Sequence, residues 1–117
     1  ITDGTLTEGM GNNDHVIDAY DFASNMQQTD IVWWVQAEAL VGFLFAYSET
    51  KEAKYLEAAE TIWEFIKKFQ IDRKNGEWFW LANVNNVQTN VYYKVGFWKC
   101  PYHNGRAMME AAQYLAK

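Results

Sequence analysis

The sequence predicts an all-α fold in which a helical hairpin and a third helix are separated by a small β-hairpin excursion. Three runs of apolar residues with helical spacing carry this prediction: residues 31–47, a run that begins at 51 or 52 and ends at 69, and residues 101–116. Between the second and third runs, residues 77–81 are aromatic and alternate in polarity, as strand residues do. At 117 residues, the chain is expected to form one domain or a piece of one.

The first 28 residues are polar and contain several glycines, and we expect them to form a loop-rich lead-in to the helical segment 29–117. Within this lead-in, residues 5–7 are expected to form a short strand and residues 15–22 a helical turn. His15 has polar neighbours, so we expect a solvated loop residue rather than a metal ligand or a catalytic group.

Residues 31–47 predict the first long helix, with Thr29 or Asp30 as its N-cap. The run is apolar almost all round, which indicates burial on most sides, so Glu38 needs a hydrogen-bond partner, a cation or water. Trp34 lies four residues before Glu38 and shares its helix face. Such a face suits a sugar, because an indole covers the C–H face and a carboxylate accepts from hydroxyls. On spacing alone, a core tryptophan beside a glutamate paired with an arginine is the favoured alternative.

The second run predicts an amphipathic helix that forms an antiparallel hairpin with the first. Residues 72–76 have the composition of a turn, and residues 77–81 predict a strand. An asparagine-rich loop is expected over residues 84–90, and residues 91–95 are expected to return as the second strand of the excursion.

The stretch Trp98–Arg106 places an imidazole, a guanidinium, an amide and two aromatic rings within nine residues. Pro101 suits the first turn of the last helix, so His103 is expected near the positive end of the helix dipole. That field disfavours imidazolium, and a neutral imidazole is what a general base requires. A helix cap or a hydrogen-bonded surface histidine is the structural alternative.

Composition argues against several classes of function. The formal net charge is −5 and no basic cluster exceeds two adjacent lysines, so nucleic-acid binding is not expected. The longest apolar run, residues 39–47, is far shorter than a membrane span. The single cysteine, Cys100, cannot form an internal disulfide, and the first residues lack a signal-peptide pattern, which together fit a cytoplasmic location. No metal-ligand cluster or phosphate-binding loop is present in the sequence, so no cofactor is expected.

Three stretches together resemble the N-acylglucosamine 2-epimerase superfamily, and most closely its cellobiose 2-epimerase branch. They are residues 33–39 (WWVQAEA), 75–80 (NGEWFW) and 98–106 (WKCPYHNGR). The resemblance implies an (α/α)6 barrel, of which this chain would be the C-terminal third. Because the chain also lacks an initial methionine, we expect it to be a fragment or a truncated product.

The resemblance implies epimerisation at C2 of a reducing-end mono- or disaccharide, by proton abstraction through an ene-diolate, or the interconversion of related aldoses and ketoses. Two histidines transfer the protons in that family, without a metal or nucleotide. His103 matches the second of these histidines, and Trp98 matches a tryptophan that packs on the sugar. Trp34 and Glu38 match further site residues, and Arg106, in the same stretch as His103, is expected to bind substrate. The sequence around His103 favours cellobiose- or mannose-type aldoses.

The chain departs from the family pattern at the other half of the site. The partner histidine of the family belongs to a His-Asp-Ile-Glu-like stretch that is absent here, and His15 does not match it. The N-terminal arginine of the family is also absent. A base without an opposing acid cannot invert a centre by a two-base route, so we expect the chain alone to be inactive or nearly so. We also expect exposed apolar faces and self-association, or association with the missing N-terminal part.

Two other functions remain open. A non-catalytic carbohydrate-binding or assembly module could use the same aromatic platform, formed by Trp34 and Trp98. A glycoside hydrolase or lyase built on a related helical toroid would need two carboxylates at a set separation. Only Glu38 is a persuasive candidate, which argues against the hydrolase.

Overall fold

The structure is a computed structural model that describes residues 1–84 and 92–117. It begins with a short helix, a π-helical turn and a two-stranded antiparallel sheet, and continues with three longer helices, the second of which ends in another π-helical turn. In chain order these elements are α1 (Thr2–Gly4), the turn Thr5–Met10, β1 (Tyr20–Asp21), β2 (Met26–Gln27), α2 (Trp33–Thr50), α3 (Ala53–Phe65), the turn Ile66–Gln70 and α4 (Tyr102–Leu115).

Helix α2 is the centre of the structure, because it packs against both α3 and α4. Ala37 of α2, Ile62 of α3 and Ala107 of α4 are completely buried in the shared core. The two alanines allow the helices to approach closely, and apolar burial of this kind supplies most of the driving force for folding. The predicted helical hairpin and third helix are therefore confirmed.

The start of α2 differs from the prediction, because Val32 and not Thr29 or Asp30 is its N-cap. Val32 is extended and forms an antiparallel bridge with Leu81, and the backbone N–H of Trp33 donates to the carbonyl oxygen of Trp80 at 3.0 Å. The long-range pairing satisfies a backbone donor that a capping side chain would otherwise serve.

Helices α2 and α3 are joined by only two residues. Lys51 adopts the left-handed conformation (φ +60°), and its N–H donates to the carbonyl oxygen of Tyr47 at 2.9 Å, which closes the end of α2. The buried face of α3 consists of Tyr55, Ala58, Ala59, Ile62 and Phe65. The prediction of an amphipathic helix that is buried on one side is therefore confirmed.

The N-terminal lead-in contradicts two local predictions. Residues 5–7 are helical rather than extended, and residues 15–22 contain no helical turn. Gln36 of α2 explains part of this, because its fully buried amide accepts from the N–H of Val16 at 3.0 Å and donates to the carbonyl oxygen of Val16 at 2.8 Å. The segment around Val16 therefore lies against α2, where the backbone polar groups of Val16 are satisfied.

His15 was expected to be solvated, and this was wrong. Its side chain is only 17% exposed, and its ring packs against Phe65 with the ring centroids 4.9 Å apart. Its Nδ1 lies 2.8 Å from an oxygen of Asp14. His15 is thus part of the packing between the lead-in and α3.

The aromatic excursion after α3 forms no regular strand at residues 77–81. Trp78 and Leu81 instead make isolated antiparallel bridges with Ile71 and Val32. Residues 92–95 are not a strand either, and the predicted loop and strand residues 85–91 lie outside the described residues. The antiparallel hairpin that the structure does contain is in the lead-in, where Tyr20 pairs with Gln27 and Asp21 with Met26.

Among the helices of residues 1–84 and 92–117, none combines the length and apolar character that a membrane crossing requires.

Candidate active site

His103 lies in the first turn of α4, directly after Pro101 and Tyr102. Its Nδ1 is 2.7 Å from Oε1 of Glu38 on α2. An ionised carboxylate can only accept a hydrogen bond, so Nδ1 of the imidazole carries the proton. In the neutral ring, Nε2 then holds the lone pair and is free to accept a proton. The contact therefore selects the tautomer that a general base requires.

Glu38 is held from its other side by Arg106. The Nη2 of Arg106 donates to Oε2 of Glu38, and its Nη1 donates to Oε1 of Glu110 at 2.6 Å. Burial alone would raise the pKa of Glu38, but the hydrogen bonds from Arg106 and His103 outweigh burial and hold that pKa below its ordinary value. The two carboxylates raise the pKa of the Arg106 guanidinium, the larger part of the effect coming from Glu38. Glu38 is therefore a fixed anion beside His103.

Indole rings surround the open face of His103. An open cleft of about 560 Å³ lies at the start of α2 and α4, and we call it the site cleft. Its lining consists of Asp18, Val32, Trp33, Trp34, Trp80, Trp98 and His103. Trp34 is 43% exposed and its ring centroid is 5.9 Å from that of His103, whereas Trp98 is 77% exposed. A cleft of this size with aromatic walls and a few polar groups is typical of a small-molecule site.

The arrangement combines two capacities. The exposed indole faces can cover the apolar C–H faces of a pyranose, as aromatic side chains in carbohydrate sites do. The oriented imidazole can exchange a proton with a group that rests on them. In the described part of the chain, no three side chains of histidine, cysteine, aspartate or glutamate are grouped as metal ligands.

The structure brings together four of the five residues proposed from the sequence. His103 contacts both Trp34 and Glu38, and Arg106 contacts Glu38. Trp98 lines the same site cleft as Trp34 and His103. Arg106 holds two carboxylates, so its guanidinium acts on Glu38; direct contact of Arg106 with a substrate stays a prediction. The arginine-paired glutamate that spacing favoured is therefore also present, and it coexists with the sugar-binding interpretation.

The sequence analysis missed several residues of the site. Trp80 was assigned only to a strand, although it lines the site cleft and packs on Trp33 with ring centroids 4.7 Å apart. Asp18 was placed in an expected helical turn, residues 15–22, and no local signal places it in the cleft. Glu110 follows Arg106 by four residues, and that spacing on a helix could have revealed the pair.

Comparison with known proteins identifies a family. The family model of N-acylglucosamine 2-epimerase (GlcNAc 2-epimerase) matches residues 2–107. The cellobiose 2-epimerase of Dictyoglomus turgidum is 52% identical over 80 residues, which are 68% of this chain and 20% of that relative. The cellobiose 2-epimerase of Bacteroides fragilis is 39% identical over 106 residues, which are 89% of this chain and 26% of that relative. A D-mannose isomerase of Marinomonas mediterranea is 33% identical over 86 residues, which are 74% of this chain and 22% of that relative.

Solved structures give the same result. The cellobiose 2-epimerase of Spirochaeta thermophila matches with a TM-score of 0.88 and 36% identity, covering 98% of this chain and 29% of that chain. The cellobiose 2-epimerase of Bacillus thermoamylovorans matches with a TM-score of 0.83 and 34% identity, covering 96% and 28%. These epimerases are (α/α)6 barrels, and the helices described above form part of such a barrel. The chain spans about a fifth to a quarter of the length of the curated relatives named above. The chain belongs to the N-acylglucosamine 2-epimerase family.

Proposed function

We propose that this chain carries one half of the proton-transfer machinery of a sugar 2-epimerase that acts on cellobiose- or mannose-type aldoses. The observation that supports this most strongly is the 2.7 Å contact between Nδ1 of His103 and Glu38, which leaves Nε2 available at a cleft walled by indoles. The relatives that carry the names cellobiose 2-epimerase and D-mannose isomerase favour this substrate class.

The proposed reaction begins with the open-chain aldose, whose carbonyl group makes the proton on C2 acidic. Nε2 of His103 takes that proton, the C2–H electron pair moves into a C1–C2 double bond, and the carbonyl oxygen becomes the anionic oxygen of an ene-diolate. Return of a proton to the opposite face of C2 inverts the centre. Glu38 stabilises the imidazolium that forms in the first step, because its carboxylate already accepts from Nδ1.

Inversion needs a second proton donor on the far side of the sugar. The other histidine of the chain, His15, contacts Asp14 and Phe65 and does not line the site cleft. We therefore propose that the 117 residues alone epimerise little or no sugar, and that the opposing acid comes from another segment or another chain. Such a segment is also a proposed partner, together with the reducing-end sugar. A cytoplasmic location stays a prediction from the sequence.

Deuterium exchange in heavy water tests the proposal, because a single base can exchange the C2 proton without inverting the centre. Cellobiose and mannose are incubated with the chain, and the loss of the H2 signal is followed by proton NMR. We expect exchange at C2 with little epimer formed. His103→Ala should abolish the exchange, and His15→Ala, which alters the other histidine, should retain it.

A non-catalytic carbohydrate-binding or assembly module is the second candidate, supported by the exposure of Trp34 and Trp98 at the same cleft. Indole fluorescence titrated with cellobiose measures binding separately from chemistry. Binding by the wild-type chain without C2 exchange above the His103→Ala background would favour this module and contradict the epimerase proposal.

A further inference from the structure

A buried lysine lies behind the site cleft. Lys99 is completely buried, and its Nζ donates to Oε1 of Glu77 and to the carbonyl oxygen of Lys94, both at 3.0 Å. The same Nζ lies 5.1 Å from the ring centroid of Trp33, a residue of the cleft wall. A buried ammonium is costly unless it is paired and fully hydrogen-bonded, so these contacts fix where the segment before α4 can lie.

The same carboxylate oxygen holds the start of α4. Oε1 of Glu77 also accepts from Nδ2 of Asn104 at 2.8 Å, and Asn104 is the residue directly after His103. Burial alone would raise the pKa of Glu77, but the N–H of Trp78 and the ammonium of Lys99 outweigh burial and lower it. One ionised oxygen therefore joins the segment that carries Trp98 to the helix that carries His103.

The backbone around Glu77 is itself unusual. Glu77 has φ +62°, a left-handed conformation that is uncommon for a residue with a side chain. It ends a turn, residues 72–77, in which Asp72 accepts from Lys94, while the Nζ of Lys94 also donates to the carbonyl oxygen of Gly76 at 3.0 Å. Both lysines of the segment 92–100 thus end on this turn. A conformation of this kind persists where surrounding contacts determine it, often beside a functional site.

Among the described residues, side-chain packing holds little of the aromatic wall. Trp98 is 77% exposed and Phe97 is 90% exposed, so packing contributes little to their position. We infer that Glu77 is a positioning residue that sets the separation of His103 and Trp98, which both line the site cleft. The inference rests on the proposed function for its meaning, but the linkage itself can be tested without any activity. Glu77 does not line the cleft, so its carboxylate acts through its contacts with Lys99 and Asn104.

The two arms of the linkage can be cut separately in the full chain. Lys99→Met removes the arm to the Trp98 segment, Asn104→Ala removes the arm to α4, and Glu77→Ala removes both. The rate of tryptic cleavage after Lys94 reports on the Trp98 segment. Amide hydrogen exchange over residues 105–108, read by mass spectrometry, reports on the start of α4. Glu64→Ala is the matched control, because it removes an exposed glutamate–lysine pair on α3.

We expect Lys99→Met to speed cleavage after Lys94 about fivefold and Asn104→Ala to speed amide exchange by a similar factor, each without the other effect. Glu77→Ala should produce both changes, and the control neither. If Glu77→Ala does not fold, the two single-arm variants decide. The inference is overturned if either variant changes neither segment, or changes both segments equally.

A kinetic readout separates positioning from general stability. If the wild-type chain exchanges the C2 proton, Asn104→Ala should lower the exchange rate at saturating cellobiose about tenfold with little change in KM, because its arm holds the base. Lys99→Met should mainly raise KM, because its arm holds the aromatic wall. Equal effects of both variants on rate and KM would contradict the inference. Absence of wild-type exchange would refute the proposed function and leave the cleavage and amide-exchange test of Glu77 valid.

Discussion

Oε1 of Glu38 lies 2.7 Å from Nδ1 of His103, although the two residues are 65 positions apart in the chain. The contact joins the N-terminal halves of α2 and α4 and places the Glu38 carboxylate beside the His103 ring, which lines the site cleft. Arg106, one turn along α4, holds the second oxygen of the same carboxylate. The base and its orienting group are thus positioned by two helices that pack in one core.

Replacement of Glu38 by glutamine should lower C2 proton exchange about 10- to 100-fold, because the neutral amide no longer stabilises an imidazolium. Sugar binding should change much less, since the indole walls remain. Heavy-water exchange and fluorescence titration of the same preparations measure the two effects. Glu49→Gln, on the exposed end of α2, is the matched control. An unchanged exchange rate in Glu38→Gln would remove Glu38 from the proposed mechanism.

The guanidinium of Arg106 bridges two carboxylates, so Arg106→Lys should lower the C2 exchange rate even though it keeps the positive charge. An ammonium cannot reproduce the planar fork that contacts Glu38 and Glu110 together. We expect C2 exchange to fall about tenfold, and about threefold in Glu110→Gln, which frees only one side of the arginine. Arg73→Lys, at an exposed arginine, should behave as wild type. Equal rates in Arg106→Lys and Arg73→Lys would contradict this role.

The three main helices could be predicted because apolar periodicity is a local property of the chain. The regions that were predicted wrongly are those in which long-range hydrogen bonds decide the conformation. Val16 lies against α2 because the side chain of Gln36 binds its backbone, and Trp78 and Leu81 pair with the earlier residues Ile71 and Val32. Local patterns contain no record of such partners.

The residues of the candidate site were only partly predictable from local sequence patterns. The four-residue spacing places Trp34 and Glu38 on one helix face, and Pro101 predicts that His103 lies at the start of a helix. The contact of Glu38 with His103 and Arg106 depends on how α2 and α4 pack, and only the family resemblance suggested that these residues belong together. Trp80 and Asp18 reach the cleft through irregular backbone, for which no periodic pattern exists.

Acid should destabilise the chain in part through two carboxylates, those of Glu38 and Glu77. The pKa of Glu38 and that of Glu77 are lower in the folded state than the ordinary glutamate value of about 4.5. A group whose folded pKa is lowered contributes stability that is fully present above its unfolded pKa and is lost as pH falls through the folded pKa. Urea midpoints should therefore be level above about pH 5.5 and decline below about pH 4.5. Glu38→Gln and Glu77→Gln should each flatten that decline; an unchanged slope in both would contradict it.

Gln36 should be essential for the position of the lead-in. Gln36→Leu preserves volume but leaves the buried N–H and carbonyl of Val16 without partners, which should lower the free energy of unfolding by about 2–4 kcal/mol. Urea denaturation measures the loss. Gln113→Leu, an exposed glutamine on α4, is the control and should change stability by less than about 0.5 kcal/mol. A loss in Gln36→Leu as small as in the control would show that the lead-in does not depend on this amide.

We propose that the chain self-associates through α4, because this helix exposes large apolar side chains. Met109 is 64% exposed and Leu115 is 65% exposed, and Leu115 also borders an open groove of about 660 Å³ between α3 and α4. Light scattering after size-exclusion chromatography should give a mass above the 13.6 kDa of one chain. The partner proposed for these exposed side chains is a second copy of the chain, so dilution should shift the mass toward that of the monomer.

Met109→Glu and Leu115→Glu should weaken the association, because each places a charge that must lose water on contact. Phe22→Glu is the matched control, since Phe22 is 87% exposed but lies in the β1–β2 hairpin, away from the three-helix core. It should leave the mass unchanged. A wild-type chain that remains monomeric at every concentration would show that the exposed apolar side chains of α4 do not bind a second copy. Equal weakening by Phe22→Glu would instead place the contact on the hairpin.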